Sequence, residues 1–154
     1  MKNLMLIAAL SLGVSGAFAQ KMKEADVPAA VKTGFTKSFP GAKVTKWEKE
    51  DGNFEAEFDN NKVETSAVFN AAGNLLETEV EIGASTLPGT IVEYCNKNMP
   101  GVAIKEAAKI TGADGSVRFE AEVGDADYLF DSNGTFIKKE VDKDKKDDDD
   151  KKKK

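Results

Sequence analysis

The sequence predicts an α+β fold of two tandem repeats, each one helix followed by about four antiparallel strands, with the helix packed on one sheet face. Three observations predict it. Residues 26–82 align on residues 86–141 with the chemical role of each key position kept. Apolar residues recur every fourth position at the start of each copy, as one buried helix stripe requires. Further on, apolar and charged residues alternate one by one, the period of strands with one wet face.

The chain opens on Lys2, an apolar run from Leu4 to Val14, small residues, and then Ala17, Phe18 and Ala19. That order reads as a secretory signal peptide over residues 1–19, cleaved after Ala19. The run is too short to span a bilayer, which needs about twenty residues. Its implication is a periplasmic or secreted product with no membrane insertion. Cys95 is the sole cysteine, so no internal disulfide can form, no lipidated cysteine stands near the cleavage point, and stability must come from an apolar core.

Copy 1 is placed at residues 20–83 and copy 2 at residues 84–141. Asp26, Val27, Pro28, Val31, Phe35, Phe39, Pro40 and Gly41 fall on Thr86, Leu87, Pro88, Ile91, Cys95, Met99, Pro100 and Gly101. A capping residue, a proline in the first turn, and a Pro-Gly stop bound the helix in both copies. Cys95 takes the slot of Phe35 and reads as a small core residue.

After each helix, Phe54, Ala56 and Phe58 alternate with Glu55 and Glu57, and Phe119, Ala121 and Val123 alternate with Glu120 and Glu122. Copy 2 carries five extra residues before this strand, and Thr111–Gly115 reads as a loop. A hairpin closes each copy, with Asn70, Gly73 and Asn74 matching Asp131, Gly134 and Thr135. Copy 1 has the longer second connection, near Asn60, Asn61 and Lys62. The second face of each sheet is expected to be open to water. From Asp142 to Lys154 only Asp and Lys occur, a composition that cannot repay ordering entropy and reads as a disordered tail. Its Asp147–Lys151 stretch also matches a tag-type protease-cleavage sequence.

The patterns V-P-x-x-V-x-x-x-F and F-P-G at the helix, K-V-T-K-W-E-K-E-D-G-N-F-E-A-E-F over the first hairpin, and V-F-N-A-A-G-N-L-L-E-T-E-V over the last resemble the PepSY-like, beta-lactamase-inhibitor-like domain family. Copy 2 departs from the pattern, having Ala107 and Ala108 near the expected tryptophan. The resemblance implies secreted inhibitors that grip an enzyme with an open sheet surface, and related modules that restrain metallopeptidases within propeptides. It brings no catalytic motif, so it implies no catalytic residue.

Composition narrows the chemistry further. The chain has no histidine, which removes triads and histidine-based zinc sites, and no phosphate-binding glycine loop precedes a helix. No cofactor and no metal site are expected, because Asp125, Asp127 and Asp131 lack the spacing of a calcium loop. Setting aside Lys2 and the seven lysines and six aspartates of 142–154 leaves 14 basic against 21 acidic residues, net −7. Such a body repels nucleic acid.

The reading is therefore an exported, non-catalytic binding module, not an enzyme, that takes a protein partner through the open sheet face, with inhibition as one form of that binding. The alternative is a periplasmic small-ligand or cation-binding sensory protein. The candidate contacts are Trp47, Glu55, Glu57, Glu120 and Glu122. The glutamates are also what any half-buried strand displays on its solvent side. Trp47 is out of phase with Val44, so either a bulge returns it to the core or it stands on the open sheet.

Overall fold

Two prolines decide where the helices begin. Pro28 precedes α1 (Ala29–Ser38) and Pro88 precedes α2 (Gly89–Asn98), each standing at the N-cap with extended backbone in this computed structural model, which describes residues 20–141. The signal-type segment and the Asp/Lys run lie outside the described residues. Asp26 and Thr86, expected as caps, make no capping bond; each ends a one-turn 3₁₀ helix, Glu24–Asp26 or Ala84–Thr86. Those turns consume the residues two positions before the cap. At the other end, Gly41 and Gly101 adopt positive φ, 84° and 80°, where a side chain would be strained.

The strands are β1 (Gln20–Met22), β2 (Val44–Glu50), β3 (Asn53–Asn60), β4 (Val63–Phe69), β5 (Leu75–Ile82), β6 (Ile104–Gly112), β7 (Val117–Val123), β8 (Ala126–Asp131) and β9 (Phe136–Val141). They follow one another in a single nine-stranded sheet, in the order β1 to β9. This overturns the expected fold of two repeats of one helix plus four strands. Every four-stranded sheet has two bare edges, and one continuous sheet halves their number. Alternation within a strand says nothing about which neighbour that strand pairs with.

The residues divide into two compact units. Unit 1 holds, of the described residues, 20–80 and 111–115; unit 2 holds 81–110 and 116–141. The inserted stretch of copy 2 therefore belongs to unit 1. Thr111 and Gly112 prolong β6, and the Ala113 N–H donates to the Leu76 carbonyl at 2.8 Å. The longer connection of copy 1 is likewise strand rather than loop. Asn61 and Lys62 form a two-residue turn with both φ positive, and Asp59↔Glu64 and Asn60↔Val63 extend the ladder.

In unit 1, Val31 and Phe35 of α1 pack with Trp47, Phe54, Ala56, Phe58, Ala67 and Phe69. In unit 2, Ile91 and Cys95 pack with Ala107, Ala121, Val123, Ala126, Tyr128 and Phe130. Burying each large side chain contributes about 1.5–3 kcal/mol, so these clusters replace the disulfides the chain cannot form. The helix of unit 1 sits very close to its hairpin: a Cβ on Gly34 would meet the Gly73 carbonyl oxygen at 2.1 Å. Unit 2 has Tyr94 at that position, its ring stacked on Phe136 at 5.2 Å and 7°.

Candidate functional site

On the side of each unit that faces away from the helix, strand register lines carboxylates up in rows. In unit 1, Glu48, Glu55, Val68 and Glu77 pair successively across β2, β3, β4 and β5. A second row runs Lys46, Glu57, Ser66 and Glu79 through the same strands. In unit 2, Glu120, Leu129 and Lys138 form one row over β7, β8 and β9, and Glu122, Asp127 and Glu140 form the other. The rows correspond position by position, with Lys138 for Glu77 and Asp127 for Ser66.

This side is not open to water. Glu55 is 3% exposed, Glu79 1%, and Ser66, Glu77, Glu48, Glu120, Glu122 and Asp127 are all buried. The expectation of a solvated face is corrected on this point. Val68 and Leu129, apolar residues at the centre of their rows, are buried as well and give the side a partly apolar floor.

Burial is the main reason that the Glu55 carboxyl is pushed up to about 8. The Ser66 hydroxyl works against that rise, while Glu57, Glu48 and Glu50 add repulsion. Ser66 does not complete a hydrogen bond, since neither its Oγ nor Glu55 Oε1 has a partner at bonding distance. Glu120 is likewise pushed up to about 8, first by burial and then by Asp127 and Glu140, with Lys138 opposing. A carboxyl with this affinity for a proton is largely neutral at pH 7.

Two lysines reach into the rows. Lys46 Nζ lies 2.9 Å from Glu48 Oε2 and 2.9 Å from Glu57 Oε1. Burial disfavours its charge, but the bonds to Glu57 and Glu48 prevail and its pKa is raised. Lys105 Nζ lies 3.2 Å from Glu122 Oε1 and donates to the Gly124 carbonyl. Glu57 and Glu122 are thus each paired with a lysine, with 12% and 11% of their side chains exposed, whereas Glu55 and Glu120 stand in the neighbouring row of each unit.

Trp47 lies elsewhere. The ladder between β2 and β3 shifts register between Val44 and Lys46, so that Thr45 is an extra residue and Trp47 turns to the helix side. Its ring meets Phe35 edge-on at 5.9 Å and is 5% exposed. The bulge decides between the two placements its phase allowed, and its indole offers no contact surface. Conversely, Glu48, Glu77, Glu79 and Asp127 belong to the rows but were not singled out from the sequence; the E-T-E run of β5 repeats the spacing of F-E-A-E and was the available signal. Among the described residues no group of three or more Asp, Glu, His or Cys is arranged to hold a metal ion, and no described helix is long and apolar enough to cross a membrane.

Residues 18–77 and 54–138 match a protein family described as "Putative beta-lactamase-inhibitor-like, PepSY-like". No curated protein matches the chain. Among solved structures, one of "putative periplasmic proteins" from Bacteroides eggerthii is similar with a TM-score of 0.65 and 15% identity, over 75% of this chain and 88% of that one. A BLIP-like protein from Bacteroides fragilis is similar with a TM-score of 0.58 and 21% identity, over 74% and 86%. At these identities the likeness is one of fold.

Proposed function

The chain belongs to the PepSY-like, beta-lactamase-inhibitor-like family, and from that premise we propose that it is a periplasmic binding module that restrains a protein partner without catalysing a reaction. One observation carries the reading: both units gather desolvated carboxylates on the side away from the helix, at an electrostatic cost that burial and mutual repulsion make plain at Glu55 and Glu120. Strongly perturbed groups concentrate where binding or chemistry requires them. The chain has no histidine and its sequence carries no catalytic motif, which favours binding over catalysis.

The partner segment that suits these rows is basic. A lysine or arginine from the partner would compete with Lys46 for Glu57 and with Lys105 for Glu122, and a cation brought close would favour loss of the proton from Glu55 and Glu120 in the neighbouring rows. Glu57 and Glu122 are the contacts proposed, with Glu55 and Glu120 acting from the row alongside. Trp47 supports the strand that carries Lys46 and Glu48.

Photo-crosslinking in the native envelope tests this reading. A crosslinking residue at Asp59 or Asp125, exposed positions near Glu57 on β3 and near Glu122 after β7, is expected to give a discrete protein adduct, and one at Lys37, exposed on α1, is expected to give none. Glu57→Lys with Glu122→Lys should reduce adduct recovery at least tenfold. Equal adducts from the helix side, or recovery untouched by both reversals, would remove the acidic rows from the proposal.

A further inference from the structure

The outer edge of β9 has features that the binding reading does not use. β9 is the last strand in the sheet order, with β8 as its only neighbour among the described residues. The other terminal strand, β1, has three residues, a common way of blunting an edge. β9 has six, and Phe136, Ile137 and Val141, 37%, 48% and 41% exposed, make up three of the five exposed large hydrophobic residues in the described chain. Alternate residues of such a strand turn their N–H and C=O groups outward.

Unit 1 shows what the same position does when it is occupied. Ile137 is the extra residue where the β8–β9 register shifts, and Leu76 is the extra residue at the matching shift between β4 and β5. There the Leu76 carbonyl accepts from the Ala113 backbone N–H at 2.8 Å. The bulge therefore does not prevent this edge from taking a backbone donor.

We infer that the β9 edge pairs antiparallel with β9 of a second copy of this chain, about a two-fold axis through Lys139. A two-fold perpendicular to the sheet keeps like faces together, so residue numbers of paired positions must share parity. Pairing Lys139 with itself sets Lys138 against Glu140 of the second copy, twice, in the regular stretch that follows the bulge at Ile137. Centring on Lys138 or on Glu140 sets like charges together there and loses these matches. Lys138 and Glu140 already pair along the strand at 2.7 Å, with 28% and 29% of their side chains exposed, so both can exchange partners. Lys139 itself leans back, its Nζ 5.3 Å from the Tyr128 ring centroid on β8, which carries its charge away from the axis. The interface is isologous and closes on itself.

Sedimentation equilibrium of the full chain tests the pairing. The wild type is expected to show twice the monomer mass. Lys138→Glu and Glu140→Lys should each revert to the monomer, with at least a tenfold rise in dissociation constant. An equimolar mixture of the two should regain the doubled mass, because Glu at 138 then faces Lys at 140. The double exchange should dimerise alone. Protection of Cys95 from thiol reagents reports that unit 2 stays folded in every variant. A wild type that is monomeric throughout the concentration range, or single variants that remain dimeric, overturns the inference; a monomer leaves this edge to an unlike chain.

Discussion

The Trp47 indole is the sole tryptophan and lies inside the unit 1 cluster against Phe35, so one substitution reads the packing of that whole unit. Trp47→Ala should cost about 3–5 kcal/mol, the usual penalty for emptying an aromatic core site, seen as a lower urea midpoint with an unchanged slope. The wild-type emission should be blue-shifted and barely quenched by iodide; strong quenching would place the ring in water. Cys95 fills the slot of Phe35 in unit 2 and is 1% exposed, with burial the first cause of a raised thiol pKa. Both placements were within reach of the sequence. Cys95 follows from its alignment with Phe35. For Trp47 the alternation from Val44 showed that it was out of phase, and only the extra residue Thr45 in the ladder says which way the phase is restored.

At the scale of the element, two glycines with opposite surroundings separate packing from chain entropy. Gly34 sits mid-helix with the Gly73 carbonyl where its Cβ would be, while Gly89 opens α2 with nothing within 4 Å of a Cβ. Gly34→Ala should displace α1 from its hairpin and destabilise the protein by about 1–3 kcal/mol, despite alanine's higher helix propensity. Gly89→Ala should stabilise by about 0.4–1 kcal/mol, because alanine has fewer unfolded conformations to lose. Chemical denaturation of both variants checks the signs, and a stabilising Gly34→Ala would show that the helix does not rest on Gly73. The helices and the phase of most strands were legible in the sequence because both are set by neighbours a few residues away. The caps were not, since nothing in D-V-P or T-L-P says that a 3₁₀ turn comes first. Nor was the sheet order, since edge pairing joins residues far apart in the chain.

For the whole molecule, the decisive property is that its carboxylates are gathered and desolvated rather than spread over a wet surface. The glutamates at 55, 57, 120 and 122 could be identified from F-E-A-E, but their burial could not, because alternation reports which side a residue takes and not whether water reaches that side. The consequence is a stability that depends on pH. In the unfolded chain a glutamate loses its proton near 4.5; in the fold Glu55 and Glu120 hold theirs to about 8. Between these values the folded state binds more protons than the unfolded state, so stability is greatest at the acidic end and falls as pH rises, by up to about 1.4 kcal/mol per pH unit for each group. It levels off above about 8. The lowered Asp131 acts below this window, and the raised Lys46 acts above it. Urea titrations from pH 5 to 9 should therefore show a falling midpoint in the wild type and a nearly flat one in Glu55→Gln with Glu120→Gln. That double variant should exceed the wild type in stability at pH 8.5, since a neutral amide occupies the desolvated site without needing a proton. A wild-type midpoint that stays flat or rises across this range would mean that both carboxyls are already ionised in the fold, and would overturn the burial-driven rise of their pKa.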